Sequence, residues 1–125
     1  MQANFELVKH INDLLREQNV LFKQQITILY DKIKRMQTKL INETKINIII
    51  NNQHIINNIK DNEIRLLEFY GYEYLLSETD IIYWENNIYD LLIEQNELLK
   101  LLIVEQNETI ERIRTKFIIE INRSK

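Results

Sequence analysis

The chain contains a single glycine and no proline in 125 residues. These two residue types most often break helices or supply the backbone conformations that tight turns need. A fold with many short elements requires many such positions, so the sequence predicts a few long elements instead. Apolar residues make up 45% of the chain, which is enough to bury a core. The length fits one small domain spanning 1–125.

Residues 4–42 carry the apolar pattern of a coiled-coil helix. Apolar side chains recur at alternating spacings of three and four, which places them along one helix face. The two rows of this seam are Phe5, Asn12, Asn19, Ile26, Ile33, Leu40 and Val8, Leu15, Phe22, Leu29, Met36. A seam asparagine either fixes helix register or marks a solvated end of the seam, and the pattern leaves both interpretations of Asn12 and Asn19 open.

Residues 78–122 predict a second long helix. Ser77, Glu78 and Asp80 resemble a helix start, with acidic side chains at the positive end of the helix dipole. The seam begins as Ile81, Trp84, Ile88, Leu91, Gln95, Leu98, Leu102 and continues as Leu99, Ile103, Gln106, Ile110, Ile113, Phe117, Ile121. Around 98–103 the two rows overlap, so the apolar face there is wide enough to contact more than one neighbour.

The middle segment, residues 43–76, is rich in β-branched and aromatic residues, which favour strands. Ile46, Ile48 and Ile50 alternate with other residues and share one face of an extended chain. Gly71 lies among aromatic residues, where a hairpin turn needs a permissive backbone. The segment therefore predicts β hairpins between the two helices.

An alternative for the middle segment is a third helix, because Ile49, Ile56, Ile59 and Leu66 also fall on one helical face. The fold class that we expect is α+β: a long antiparallel helical hairpin with a small β-hairpin segment between its helices. The alternative fold is an all-α helical hairpin or a three-helix coiled coil.

The stretch 62–92 resembles the second hairpin and last helix of α-type prefoldin subunits. The residues that carry the resemblance are Leu66, Leu67, Glu68, Phe69, Gly71, Tyr72, Tyr74, Ser77, Glu78, Asp80 and Trp84. The resemblance implies one subunit of a heterohexameric chaperone that works without ATP. Such a chaperone captures unfolded proteins such as actin and tubulin, and delivers them to the cytosolic chaperonin.

Two sets of site residues follow from this expectation. Antiparallel helices would bring six apolar residues together at the helix tips, and the resemblance implies that they bind unfolded clients; the alternative is that they pack against each other. These residues are Phe5, Val8, Ile113, Phe117, Ile118 and Ile121. The β segment would complete a sheet with other subunits, because two short hairpins are not stable alone. Its expected assembly residues are Ile46, Ile48, Ile50, Leu67, Phe69, Tyr72 and Tyr74.

We expect no enzymatic activity, cofactor or metal. The chain lacks cysteine and a glycine-rich phosphate loop. His10 shares a helix face with Glu6 and Asp13, but such a trio is more typical of a solvated face than of a metal site. His54 lies in an asparagine-rich stretch without a neighbouring ligand. A small metal-dependent enzyme is therefore the least favoured function.

The net charge of −3 argues against a nucleic-acid partner, and the apolar runs are too short to cross a membrane. The absence of cysteine fits the reducing cytosol or nucleus, and we expect a cytoplasmic location. The first helix carries a basic cluster, for which pairing with acidic residues of a partner subunit is favoured over the alternative of nucleic-acid binding; it consists of Lys32, Lys34, Arg35 and Lys39. The alternative function is a coiled-coil scaffold subunit of a multiprotein complex such as a kinetochore, tethering or trafficking assembly.

Overall fold

The computed structural model describes residues 2–50, 52–71 and 78–123. It contains three helices: α1 (Gln2–Thr44), α2 (Gln53–Gly71) and α3 (Glu78–Arg123). Helices account for 94% of the described residues, and no strand occurs among them. The predicted α+β fold with a β-hairpin segment is therefore wrong, and the all-α alternative with three helices fits.

The middle segment folds as a helix because helical spacing buries its apolar side chains against α3. Ile59 and Leu66 are buried and Ile56 is half-buried, at spacings of three and seven residues along α2. The wide apolar face of α3 offers these side chains a surface, and this burial outweighs the strand preference of β-branched residues. Gly71 closes α2 without a positive φ angle, so it does not form the expected hairpin turn.

Helices α1 and α3 run in the same direction, because α2 returns the chain between them. Near the start of both helices, the Asn12 Nδ2 donates to Glu85, with 2.7 Å to its Oε2. Further along both helices, the Gln106 Nε2 donates to the carbonyl of Ile26 at 3.3 Å. The predicted antiparallel hairpin of two long helices is thus wrong in direction as well as in its β segment.

Helix α2 packs antiparallel to α3. At its end, the carbonyl of Phe69 accepts a hydrogen bond from the Trp84 indole near the start of α3. Nearer its beginning, the Ile59 carbonyl accepts from Gln95 Nε2 at 3.3 Å. At 19 residues, α2 is less than half as long as either neighbour, so it covers only part of the α1–α3 pair.

The core runs along the axis of the bundle and matches the two predicted seams. Every α1 seam residue from Val8 to Leu40 is buried or half-buried, and so is every α3 seam residue from Ile81 to Ile121. The buried apolar residues form three clusters: Ile33, Leu40, Ile110, Ile113; Ile59, Leu99, Leu102; and Leu66, Trp84, Ile88, Leu92. The wide face predicted for α3 is used by α1 and α2 together.

Helix α2 does not reach the end of the bundle where α1 ends. At that end an extended connector, residues 45–50, packs against the long helices instead. Lys45 ends α1 with a φ of 63°, the left-handed conformation that stops a helix. The predicted sharing of one face by Ile46, Ile48 and Ile50 is confirmed, because all three side chains pack against the cluster around Leu40. They serve the core of their own chain, however, and pair with no strand in the described residues.

Two amide contacts link α1 and α3 inside the seam. Asn12 is fully buried and donates to both the backbone oxygen and the carboxylate of Glu85, at 2.9 and 2.7 Å. Asn19 is 7% exposed and donates to the Asn96 Oδ1 at 2.7 Å. The interpretation of these asparagines as a solvated end of the seam is therefore wrong, and their pairing supports a role in setting register.

We expect the substitution Asn12→Leu to lower the free energy of unfolding by about 2–3 kcal/mol, because it leaves the buried Glu85 carboxylate without its side-chain donor. Asn12→Leu combined with Glu85→Leu should regain most of this loss, since neither polar group is then left unpaired. Urea unfolding followed by circular dichroism measures both values. The same measurement on Glu85→Leu alone completes the comparison, and if the effects of the two single substitutions simply add in the double variant, the pair is not coupled.

Candidate functional site

One flank of the α1–α3 pair is occupied by α2 and the connector, which leave clefts between α1 and α2. The Arg16 Nε donates to the Tyr70 hydroxyl of α2 at 2.8 Å, and the Lys23 Nζ lies 2.6 Å from the Glu63 carboxylate. Gln37 donates to the connector carbonyl of Ile48 at 3.0 Å. The three α1 residues are separated by multiples of seven, so they define a single flank of α1.

The opposite flank of α1 carries Gln18, which lies two residues after Arg16 and hence about 200° around the helix. The Gln18 Oε1 accepts a hydrogen bond from Asn96 of α3 at 3.2 Å, so this flank also adjoins α3. Leu14 and Leu21, four residues before and three after Gln18, share its flank. Their side chains are 51% and 62% exposed.

A row of apolar residues with a spacing of seven follows this open flank. It consists of Leu7, Leu14, Leu21 and Ile28, each more than half exposed. Single exposed leucines are ordinary on protein surfaces, but a heptad row is the pattern of a helix that packs against another helix. Helix α1 thus has a second seam, which no helix in the described part of the chain covers. We call this set the outer row.

Helix α3 supplies the other wall. Tyr89 and Ile93 lie seven and three residues before Asn96, so they fall beside the contact between Asn96 and Gln18. Their side chains are 37% and 38% exposed. The outer row and these two residues together bound a groove between α1 and α3, on the side opposite α2.

The groove continues into an apolar cleft at the far end of the bundle. This cleft has a volume of about 290 Å³ and is lined by Met36, Lys39, Ile113, Arg114, Phe117 and Ile118. Lys39 lies three heptads after Gln18, so the cleft opens on the same flank. From Leu7 to Lys39 the groove is about 48 Å long at the rise of an α-helix.

The basic cluster predicted on α1 is divided between the two flanks. The Lys34 Nζ lies 5.2 Å from the centroid of the Tyr30 ring and lines the cleft between α1 and α2. Lys32 and Lys39 belong to the heptad row of Gln18, and Arg35 continues the outer row after Ile28. Three of the four cations therefore lie along the open groove.

The predicted client-binding residues do not meet at one tip. Because α1 and α3 are parallel, Ile113 and Phe117 lie against Met36 and Leu40. Val8 lies about 42 Å from Met36 along α1. Ile118 is 60% exposed and lines the apolar cleft, whereas Ile121 is half-buried. The side chain of Phe5 lies outside the described residues.

The predicted assembly residues are also dispersed. Ile46, Ile48 and Ile50 face the core of their own chain, and Phe69 packs against the cluster that contains Trp84. Leu67 is 68% exposed on α2. Tyr72 and Tyr74, like Ser77, lie outside the described residues.

Both histidines are exposed, His10 on α1 and His54 on α2. In the described ranges no three His, Cys, Asp or Glu side chains converge as a set of metal ligands. Across the same residues, no helix is both long enough and apolar enough to span a membrane.

Sequence reasoning missed the outer row, although its spacing is legible in the sequence. The inner seam alone already explains an amphipathic helix, and the outer row begins one residue before Val8 of that seam. A helix with two heptad rows is expected to have neighbours on two sides. The second heptad row is therefore the sequence signal that indicates the groove.

Comparisons of the chain with family models, curated proteins and solved structures found no match.

Neighbouring leucines on α1 allow a matched test of the groove. Leu14→Arg should change the free energy of unfolding by less than about 0.5 kcal/mol, because Leu14 faces solvent. Leu15→Arg should lower it by about 3 kcal/mol or more, because Leu15 packs against the cluster around Trp84. Thermal and urea unfolding measure both. Equal losses in the two variants would show that the outer row is part of the core.

Proposed function

We propose that this chain is a non-enzymatic coiled-coil scaffold subunit that binds a helix of a partner protein in the groove between α1 and α3. The observation that carries the proposal is the outer row, four apolar side chains at heptad spacing on a flank that α2 leaves open. A fourth helix in this groove would complete a four-helix bundle, the arrangement in which such seams are normally buried.

The energetics of the groove favour a lasting contact. Burying apolar surface contributes about 25 cal/mol per Å², so each half-exposed leucine or isoleucine would add roughly 1 kcal/mol when covered. Repeated four times over the roughly 32 Å from Leu7 to Ile28, and with the apolar cleft covered as well, this gain works against the cost of ordering a partner helix. Leu7 and Ile28 mark the extent of the outer row that is available.

The use of polar groups within the bundle also supports a structural role. Asn12, Asn19, Gln95 and Gln106 are buried, and each donates a hydrogen bond to another helix. These side chains hold helices in register. A scaffold subunit requires this kind of rigidity, because its binding groove keeps its shape only if the two walls cannot slide.

The chaperone function implied by the resemblance to prefoldins stays a prediction. Residues 66–69, which the resemblance implies to be a strand, are helical. A continuous helix in the middle segment favours the scaffold over the chaperone, because the chaperone would need a β segment for assembly. The proposal retains a cytoplasmic location and partner subunits as expectations.

Site-specific photo-crosslinking in the cells that produce the protein tests the proposal. A benzophenone amino acid replaces Leu14 or Leu21 in the groove, and a matched control places it at Leu67, which is 68% exposed on α2. We expect the groove positions to crosslink to a helical segment of one main partner. The control position should give little of this product.

Two results would contradict the scaffold. Equal crosslinking at Leu67 and Leu14 would show that the groove is not the contact surface. A broad mixture of unrelated unfolded chains, accompanied by chaperonin, would favour the chaperone instead.

A further inference from the structure

We infer that the partner helix carries an apolar heptad stripe and, at one end only, acidic residues flanking that stripe. The acidic end lies beside Lys32, Arg35 and Lys39. This inference rests on the proposed function and specifies the chemistry of the partner.

The three cations form one patch on the groove flank. Their positions i, i+3 and i+7 lie on one helix face, next to the end of the outer row. Among residues 2–50, 52–71 and 78–123, none of the three lies within 4.0 Å of a carboxylate of this chain. The Lys39 Nζ instead lies 5.3 Å from the centroid of the Phe117 ring.

This patch contrasts with the charge of the chain as a whole. The net charge of the chain is −3. On α3, cations form ion pairs with carboxylates of the same helix, as Arg114 does with Glu111 at 2.7 Å. Lys32, Arg35 and Lys39 form no such ion pair in the described ranges, although Asp31 and Glu43 lie four residues from Arg35 and Lys39 along α1. A concentrated positive potential beside an apolar cleft attracts carboxylates and disfavours a cationic partner.

The other half of the groove is uncharged along its floor. Gln18 and Gln25 occupy the heptad row that Lys32 and Lys39 continue, and the outer row from Leu7 to Ile28 is apolar. On the α3 wall, Lys100 lies one heptad after Ile93, but the Glu97 carboxylate lies 3.4 Å from its Nζ. Cations without an ion pair on the α1 side of the groove are thus confined to one end. A partner with this polarity can dock in only one orientation, since reversing it would place its carboxylates beside leucines.

A second copy of this chain fits the groove less well. In a parallel arrangement each cation would meet its own counterpart, which is repulsive. In an antiparallel arrangement Lys32, Arg35 and Lys39 would face the end of the groove near Leu7 and Ile11, where Glu17 is the one carboxylate beside the outer row, too few for three cations. Charge complementarity therefore favours a different protein with an acidic flank.

Selection from a displayed peptide library tests the inference. The peptides are helices of about four heptads with leucine fixed along one stripe, and each flanking position is randomised among Glu, Gln and Lys. The targets are the full chain and the variant Lys32→Glu, Arg35→Glu, Lys39→Glu. Lys34→Glu is the matched control, because it changes a charge on the α2 side of the same helix. Circular dichroism verifies that each target is folded.

We expect the unaltered chain and the control to enrich Glu at one end of the peptides. The triple variant should weaken binding of the enriched peptides by about tenfold, or enrich Lys instead. Leu14→Arg with Leu21→Arg should remove binding of all of them.

Bound peptides without a charge preference, or with Glu at both ends, would overturn the inference without contradicting the proposed scaffold function. Sedimentation showing a dimer that Leu14→Arg dissociates would identify the occupant as a second copy and overturn it as well. A failure of the scaffold is recognised separately, by crosslinking that does not favour Leu14 over Leu67.

Discussion

The parallel pairing of α1 and α3 is the constraint from which the remaining architecture follows. Two long helices of one chain can pack in parallel only if the chain returns between them, and α2 with its connector makes that return. The returning helix needs to occupy only one flank of the pair. The other flank is left open along the length of both long helices, and it is there that the outer row and the apolar cleft lie.

Buried amides give this pairing its register. Apolar seams alone tolerate sliding, because one heptad resembles the next. A slip of α1 by seven residues along α3 would move Asn12 from Glu85 towards Leu92, and a buried amide would lose its partner. The contact between Asn19 and Asn96 imposes the same condition one heptad later. Two polar contacts thus exclude many alternatives that leucines and isoleucines would accept.

The sequence specifies which residues form the seams better than it specifies how the helices are oriented relative to one another. Spacing alone located the inner rows of α1 and α3, because heptad periodicity follows directly from helix geometry. It could not determine direction, since a seam read from either end has the same periodicity. The middle segment was misassigned because Leu66 fits a strand with its aromatic neighbours and equally fits a helix face with Ile56 and Ile59, and only the width of the α3 face decides between them. The outer row was readable, but the inner seam already explained the helix.

An odd number of passes also places the beginning of α1 and the end of α3 at opposite ends of a rod about 65 Å long. Tension applied to these two points would act along the helices, and the contacts between α1 and α3 would resist it in shear. Many side chains, from Asn12 and Glu85 to Leu40 and Ile113, would then share the load at once. In an antiparallel pair held at one end, the same contacts would separate one after another. The parallel arrangement therefore suits a bundle that transmits force along its axis.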